Sequence, residues 1–273
     1  SFPDEYTAFK PYADMYPSAC ILLVDTYDTL KSGVPNAIRV FTEMREAGIP
    51  LTFYGIRLDS GDLAYLSKKA RKMLDEAGFP DAVISASNDL DEYLIDSLKV
   101  QGCKITSWGV GTHLITSKDW PSFGGVYKLA AIQDAQSGEF IPKIKLSENS
   151  EKITNPGNKK IYRIYEKDLI CLVDETYDEN EPLVLFDPNE PWKKTKLLPG
   201  TYELRELMVH VFNHGNCIYH SPKVMDIRDY CQKELETLWE ETRRLVNPHG
   251  VYVDLSQKLY DMKISLLNQM SQV

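Results

Sequence analysis

The segment Arg57-Leu58-Asp59-Ser60-Gly61-Asp62 places a cation and a carboxylate where an apolar run ends and a helical pattern begins. Alternation along a strand puts Arg57 and Asp59 on the same side. An arginine fork pairs with a phosphate or carboxylate, and a nearby carboxylate can accept hydrogen bonds from sugar hydroxyls. These residues therefore suit a phosphosugar or a carboxylated ring. The alternative is a strand-end Arg-Asp salt bridge, with Ser60 or Asp59 as an ordinary helix N-cap.

A second cluster, Trp108-Gly109-Val110-Gly111-Thr112, ends another apolar run. Glycines let backbone amides approach a phosphate closely, and the Thr112 hydroxyl adds a donor. The alternative for Gly109 and Gly111 is a tight turn that requires positive φ.

Two further polar clusters follow apolar runs, namely Asp25-Thr26-Tyr27-Asp28 and Ser87-Asn88-Asp89. Acids at such a position can hold a divalent metal through water, bind a ribose or fix Arg57. The alternative is helix N-capping, by Asp28 in the first cluster and by Asn88 or Asp89 in the second.

The elements that must position these clusters alternate between short apolar runs and amphipathic ones. We predict buried parallel strands at 20–24, 51–56, 82–85 and 104–108, and helices at 34–47, 63–77 and 90–100. Gly48, Gly78 and Gly102 stand where helix C-caps are expected. This βα series requires a parallel sheet with helices outside it, and each polar cluster lies at the carboxyl end of a strand.

Only four clear βα units are present, with a possible fifth strand at 124–131. A closed (β/α) barrel takes about eight strands. We therefore expect either an open sheet or further strands upstream of Ser1, and the absence of an initial methionine favours the second.

The pattern changes after Gly124 to strand-like runs at 125–133, 140–146, 160–165, 169–174 and 183–186, separated by turn signals. Helical patterns follow at 225–246 and 255–267. We predict three parts: barrel residues 1–123, a mostly antiparallel β subdomain at 124–223, and C-terminal helices at 224–273.

Bulk composition is that of a globular protein, with 43% hydrophobic and 26% charged residues among 273. The net charge of -9 argues against nucleic-acid binding. Five cysteines without paired spacing predict a reducing compartment, and no apolar run predicts a membrane span, so we expect a cytoplasmic protein. The group His210, His214, Cys217 and His220 lacks zinc-ligand spacing, and we predict no metal site there.

Taken together, four segments closely resemble nicotinate phosphoribosyltransferases, in the same order and spacing. They are Leu23 to Thr29, Gly55 to Asp62, Trp108 to Thr112, and Gly124 to Leu129. Further marks are Lys152 to Gly157, Asn247-Pro248-His249 and Val253 to Ser256. The resemblance extends through nearly the whole chain.

The resemblance implies an α/β fold with an incomplete (β/α) barrel of the type II phosphoribosyltransferase kind, an antiparallel β subdomain and C-terminal helices. It implies condensation of nicotinate with phosphoribosyl pyrophosphate, in NAD salvage, to give nicotinate mononucleotide and pyrophosphate. ATP as co-substrate, Mg²⁺ bound with the substrate and a homodimer are also implied.

The resemblance also implies residue roles. Arg57, Asp59 and Asp25 would be catalytic, with Arg57 on the nicotinate carboxylate or the phosphates, Asp59 on the ribose, and Asp25 positioning the base or Arg57. Substrate-binding residues would include Tyr27, Asp28, Ser60, Gly61, Ser87 and Asn88. Phosphate would be held by Gly109, Gly111, Thr112 and Lys128.

One departure concerns ATP coupling, which in the family uses a phosphorylated histidine upstream of the part matching Ser1 to Tyr12. No histidine here occupies that place, so we expect the isolated chain to be inactive. Alternatives are a nicotinamide phosphoribosyltransferase or other type II relative, and a non-catalytic phosphosugar-binding module. A barrel aldolase is a weaker alternative, since Lys104 starts its predicted strand instead of ending it.

Overall fold

The computed structural model describes residues 2–149, 152–165, 169–174 and 177–270, with the backbone alone for 169–174. The chain divides into two compact units, Ser1–Gly124 and Gly125–Val273.

The first unit is a four-stranded parallel sheet in the order β1-β2-β3-β4, with helices between the strands. Its strands are β1 (Cys20–Leu23), β2 (Tyr54–Leu58), β3 (Val83–Ser87) and β4 (Ser107–Gly109). Its helices are α1 (Glu5–Met15), a π-helix (Thr29–Gly33), α2 (Val34–Glu46), α3 (Leu63–Glu76), α4 (Glu92–Val100) and α5 (Thr112–Ile115). The predicted parallel βα series is confirmed.

Helix boundaries in this unit follow local sequence signals. α2 buries Ala37, Val40, Phe41 and Met44, which recur at helical spacing. Beyond α2, α3 and α4 respectively, Gly48, Gly78 and Gly102 adopt φ of 71°, 82° and 74°, as predicted for C-caps.

One face of the parallel sheet forms the core with the helices. Alternate residues on β1 to β3 are buried, among them Leu22, Ile56 and Ile84, and they belong to a single apolar cluster with the α2 and α3 side chains. The opposite face carries Leu23, Arg57 and Ser85, which keep contact with solvent. Helices therefore cover one face of this sheet within the unit.

Two strand predictions in this unit are displaced along the chain. β2 starts at Tyr54 instead of Leu51, because Leu51 packs against the core from a loop. β4 starts at Ser107, although the preceding Thr106 already donates its N–H to Ile84 O at 2.9 Å. Apolar loop residues that pack against the core, Leu51 before β2 and Ile105 before β4, imitate a strand pattern.

The described residues contain no closed barrel, and the predicted fifth parallel strand at 124–131 is wrong. Only Ala131–Gln133 (β5) is extended there, and it pairs antiparallel with Phe140–Pro142 (β6). The apolar residues Val126 and Leu129 that suggested a strand are exposed.

The second unit is built on a six-stranded sheet in the order β10-β9-β14-β8-β7-β11. Its strands are β7 (Lys159–Ile164), β8 (Leu169–Asp174), β9 (Leu183–Phe186), β10 (Lys194–Leu197), β11 (Leu204–Glu206) and β14 (Tyr252–Ser256). All pairs are antiparallel except β14 with β8, which confirms a mostly antiparallel sheet.

A small hairpin and two helices complete the second unit. β12 (Phe212–Asn213) and β13 (Asn216–Cys217) are joined by His214 and Gly215, both at positive φ. The helices are α6 (Val224–Glu236) and α7 (Gln257–Met270). Among the described residues, no helix combines the length and apolarity needed to cross a membrane.

Both C-terminal helix predictions need correction. α6 ends at Glu236, ten residues before the predicted end at Val246. Just beyond this end, Thr237 Oγ1 donates to Glu234 O at 2.7 Å, and turns follow. Residues 252–256, whose last two were assigned to the second helix, instead form β14 between β8 and β9. Tertiary pairing overrides helical spacing there.

Candidate functional site

The carboxyl ends of β1 to β4 meet at one edge of the parallel sheet. Arg57 on β2 is in register with Leu23 of β1 and Ser85 of β3, and Ser85 with Ser107 of β4. Residues in register share a face, so Arg57 projects from the face that the helices leave uncovered.

Asp25 organises the turn that follows β2. Its Oδ2 accepts a hydrogen bond from the Asp59 backbone N–H at 2.8 Å and from Ser60 Oγ at 2.7 Å. Asp59 Oδ1 accepts a short hydrogen bond from Ser87 Oγ. The ends of β1, β2 and β3 are therefore tied together by predicted site residues. Asp25 Oδ1 and Asp59 Oδ2 have no hydrogen-bond partner within the described ranges.

Arg57 is exposed, and within the part of the chain that the structure describes its guanidinium makes neither an ion pair nor a hydrogen bond. The strand-end Arg-Asp salt bridge is therefore wrong. Asp25 does not fix Arg57 here: its Oδ2 binds Asp59 and Ser60, and no hydrogen bond or ion pair joins its carboxyl group to Arg57. A cation with five unused N–H donors is thus available at the end of β2, which suits a bidentate anionic ligand.

In the loop after β1, Asp28 caps the π-helix. Its Oδ1 accepts from the backbone N–H groups of Lys31 at 2.9 Å and Leu30 at 3.1 Å. These hydrogen bonds hold the pKa of the Asp28 carboxyl below its usual value, and the bond from the Lys31 N–H contributes most. The capping interpretation is confirmed, while substrate binding by Asp28 stays a prediction. Tyr27 beside it is 73% exposed and leaves its ring accessible.

The loop after β3 is strained. Asn88 and Asp89 adopt φ of 111° and 31°, which side-chain-bearing residues rarely do. Neither caps α4, contrary to the capping alternative, because Asp91 Oδ1 accepts the Leu94 N–H at 2.8 Å. Such strain costs about 1–3 kcal/mol per residue and concentrates at functional sites. The substrate-binding role of Asn88 stays a prediction.

In the loop after β4, neither Gly109 nor Gly111 has positive φ, so the tight-turn alternative is wrong. Gly109 is in register with Ser87, and no atom lies within 4 Å of the place a Cβ would take on Gly111. Phosphate binding by these glycines and Thr112 therefore stays a prediction. Lys128 belongs to the second unit, where its Nζ donates to Lys152 O.

Gly61 and His113 have local roles. Gly61 takes φ of 77° in the turn into α3. His113 Nδ1 lies 3.4 Å from Asp91 Oδ2, and its side chain is 19% exposed. His113 Nδ1 is therefore near the α4 cap, but it makes no hydrogen bond with the residues that the structure describes.

Sequence reasoning missed two residues that shape the loop after β1. A Cβ on Gly33 would lie 1.8 Å from Val24 O, so the π-helix can approach β1 only with glycine. The buried Glu5 accepts hydrogen bonds from Ser32 Oγ at 2.6 Å and Asn36 Nδ2 at 3.2 Å. Gly33 has ordinary helical φ, and Glu5 lies 27 residues from Ser32, so no local signal marks either of them.

Comparisons with known proteins agree with the resemblance. Residues 158–263 match the family described as nicotinate phosphoribosyltransferase C-terminal domain. Nicotinate phosphoribosyltransferase from Bacillus subtilis (strain 168) is 48% identical, over 98% of this chain and 55% of its own length. The Homo sapiens enzyme of that name is 32% identical, over 97% of this chain and 50% of its own length.

This chain belongs to the nicotinate phosphoribosyltransferase family. It spans about half the length of the relatives it matches. The crystal structure of human nicotinic acid phosphoribosyltransferase superposes with a TM-score of 0.71 at 27% identity, covering 96% of this chain and 50% of that one. A nicotinate-nucleotide pyrophosphorylase from Pyrococcus furiosus shares the fold, with a TM-score of 0.55 at 19% identity, over 86% of this chain and 51% of that one. The family prediction is confirmed, and the fold is mixed α/β.

Proposed function

We propose that the protein carrying this chain condenses nicotinate with phosphoribosyl pyrophosphate, giving nicotinate mononucleotide and pyrophosphate in NAD biosynthesis. The observation that carries the proposal is the unpaired Arg57 at the convergence of three strand ends. Family membership supports it, because the similar proteins bear the name of this reaction.

The proposed mechanism needs no protein nucleophile for the sugar step. Arg57 donates hydrogen bonds to the nicotinate carboxylate or to phosphate oxygens, and Asp59 Oδ2 accepts from a ribose hydroxyl. Asp25 positions Asp59 and Ser60 through its two hydrogen bonds. Fixed donors of this kind stabilise the charge that develops as pyrophosphate leaves an oxocarbenium-like centre.

Mg²⁺ fits this set of residues. The free oxygens of Asp25 and Asp59 are hard donors of the type Mg²⁺ prefers, with water and substrate phosphates as its other ligands. When bound, the ion would neutralise the pyrophosphate charge.

Several finer features are proposed from the family resemblance. They are an incomplete (β/α) barrel around the parallel sheet, ATP hydrolysis coupled to the transfer, a homodimer and a cytoplasmic location. The open face of the sheet supports the barrel, because a barrel interior is the place for a face that helices leave uncovered.

The decisive experiment measures nicotinate mononucleotide formation in Arg57 variants of the protein that carries this chain. Arg57→Ala is expected to lower kcat/KM by about 100- to 1,000-fold, because it removes a charge-assisted pair from the transition state. Arg57→Lys keeps the charge but lacks the guanidinium fork, so its kcat/KM should lie between those of Arg57→Ala and the unaltered protein. The control Lys72→Ala removes an exposed lysine whose ion pair with Glu76 is 3.6 Å long, and it should be neutral. Unchanged turnover in Arg57→Ala would favour a non-catalytic phosphosugar-binding module.

The identity of the base is tested separately. A cation at Arg57 favours the acid nicotinate over the neutral nicotinamide. Unlabelled nicotinate should therefore displace bound labelled nicotinate far better than nicotinamide does. Arg57→Ala should remove this difference between the two competitors. Preference for nicotinamide in the unaltered protein would point to the relative that uses the neutral base.

A further inference from the structure

Glu5, the first residue of α1, is a buried acid to which the proposed reaction gives no role. Its side chain is 6% exposed, and its Oε2 accepts hydrogen bonds from Ser32 Oγ at 2.6 Å and from Asn36 Nδ2 at 3.2 Å. Asn36 Nδ2 also donates to Ser32 Oγ at 3.3 Å. Glu5 Oε1 is buried without a hydrogen-bond partner among the described residues. Glu5 therefore fastens α1 to the π-helix through Ser32 and to α2 through Asn36.

Holding α1 against α2 does not by itself require this acid. Tyr6, the next residue, donates its hydroxyl to the two carboxylate oxygens of Glu43 on α2, at 2.7 and 3.0 Å. Lys10 forms an ion pair with the same carboxylate at 2.9 Å. The Glu43 carboxylate stays partly exposed, whereas burying a carboxylate with an unsatisfied oxygen is costly. What Glu5 adds is a hold on the π-helix, which the contacts of Glu43 with Tyr6 and Lys10 do not touch.

The π-helix fixes both ends of the loop that carries Asp25. At one end, a Cβ on Gly33 would lie 1.8 Å from Val24 O, so the last residue of the π-helix rests directly on the residue before Asp25. At the other end, the N–H groups of Ser32 and Gly33 donate to Asp28 O at 2.9 and 3.0 Å. π-helices are rare and occur frequently at functional sites. By holding Ser32, Glu5 therefore restrains the loop on both sides of Asp25.

Asp25 passes this restraint on to the turn after β2. Its Oδ2 accepts the Asp59 N–H at 2.8 Å and the Ser60 hydroxyl at 2.7 Å, and both hydrogen bonds are exposed. Water competes for exposed hydrogen bonds, so Asp25 keeps them only while its loop is held in place. A displacement of about 1 Å in a group that orients substrates can lower the rate about 100-fold. The position of the Asp25 loop therefore matters for the chemistry assigned to Asp59.

We propose that Glu5 is a positioning residue for the transfer reaction. Through Ser32 and the π-helix, it holds Asp25 in the position from which Asp25 organises the turn after β2. The part of this inference that concerns catalysis rests on the proposed function, whereas the positioning rests on the contacts within the first unit. No hydrogen bond or ion pair among the described residues joins Glu5 to Arg57 or Asp59, so Glu5 acts on the reaction only through Asp25.

Steady-state kinetics of nicotinate mononucleotide formation, in the protein that carries this chain, test the positioning role. Glu5→Ala should lower kcat per folded enzyme about tenfold or more, with KM for nicotinate changed less than about threefold, because orientation is lost while Arg57 stays in place. Glu5→Gln keeps an acceptor oxygen for Ser32 and should retain most of kcat. Tyr6→Phe is the matched control, because it removes a hydrogen bond between the same two helices and should leave kcat unchanged.

Two further variants separate positioning from a general loss of stability. Ser32→Ala removes the same hydrogen bond from its other side and should also lower kcat, which keeps the test valid if Glu5→Ala does not fold. In an Asp25→Ala background, Glu5→Ala should lower kcat no further, because the two residues act in one chain of contacts. Unchanged kcat per folded enzyme in Glu5→Ala and Ser32→Ala, or full additivity with Asp25→Ala, would overturn the inference.

Hydrogen exchange of the Asp59 backbone amide tests the positioning without any turnover. This N–H donates to Asp25 Oδ2, so its exchange rate reports how firmly Asp25 is held. Mass spectrometry that resolves single amides should show exchange at least about fivefold faster in Glu5→Ala, and unchanged exchange in Tyr6→Phe. An unaltered protein that forms no nicotinate mononucleotide would refute the proposed function, and the exchange rates would still decide whether Glu5 positions Asp25. Equal exchange of Asp59 in Glu5→Ala and Tyr6→Phe would refute that positioning.

Discussion

The buried acid Asp254 leads to a quantitative prediction about stability. Its pKa rises from an ordinary 3.8 to about 6, mainly because it is buried on β14. At 1.36 kcal/mol for each pH unit, this rise corresponds to about 3 kcal/mol of destabilisation when the group is ionised. Asp254→Asn keeps the shape of the side chain and removes the charge, so it isolates this cost.

The sign follows from proton binding. Between about pH 4 and pH 6 the folded chain keeps the Asp254 proton while the unfolded chain has lost it, so stability falls as pH rises. Above about pH 6 the whole cost is present. The free energy of unfolding of Asp254→Asn minus that of the unaltered protein should therefore be near zero at about pH 4 and reach about 2–3 kcal/mol at about pH 8.

Urea-induced unfolding followed by circular dichroism at several pH values measures this difference. Asp229→Asn is the matched control, because the exposed side chain on α6 should change stability by no more than about 0.5 kcal/mol at any pH. A flat difference curve for Asp254→Asn, or a variant less stable than the unaltered protein at about pH 8, would refute the reasoning.

Two further variants test the packing of each unit by the same unfolding assay. Gly55→Ala should lower the free energy of unfolding by about 3 kcal/mol or more, because the added Cβ would lie 2.0 Å from Val83 O. Gly250→Ala is the control, because an added Cβ there would meet nothing within 4 Å. Equal effects of the two substitutions would contradict the close approach of Gly55 to Val83. Glu234→Gln should cost about 2 kcal/mol at neutral pH, since Glu234 accepts from Arg205 at 2.7 and 2.6 Å and from Arg163 at 3.0 Å. The Arg205 hydrogen bonds lower the pKa of Glu234, so the stability lost in Glu234→Gln should become smaller as the pH falls through that lowered pKa. A loss of stability that does not depend on pH would argue against the ion pairs.

Local signals predicted the first unit well, because they depend on a few neighbouring residues. The spacing of Val40, Phe41 and Met44 and the glycines that follow α2, α3 and α4 determine where those helices lie. Parallel topology then places all strand carboxyl ends at one edge, and that is why four separated polar clusters could be assigned to one site from the sequence.

Contacts between distant residues escaped the same reasoning. Asp25 binds the Asp59 N–H and Ser60 across 34 and 35 positions, so nothing in either segment alone revealed that Asp25 would leave Arg57 unpaired. Asp91, not Asn88 or Asp89, caps α4, because the helix begins at Glu92 and Asp91 Oδ1 accepts the Leu94 N–H. β14 likewise became a strand through pairing with β8 and β9.

By itself, the sequence determined the βα series, the family and the residues that gather at the strand ends, since periodicity, capping glycines and motif order are local properties. The tertiary structure decided which of those residues are already satisfied and which stay free. Hydrogen bonds occupy one oxygen each of Asp25 and Asp59, whereas Arg57 in the first unit and Asp254 in the second have no partner among the described residues. Pairing depends on distances between segments far apart in the chain, and only the folded arrangement sets them.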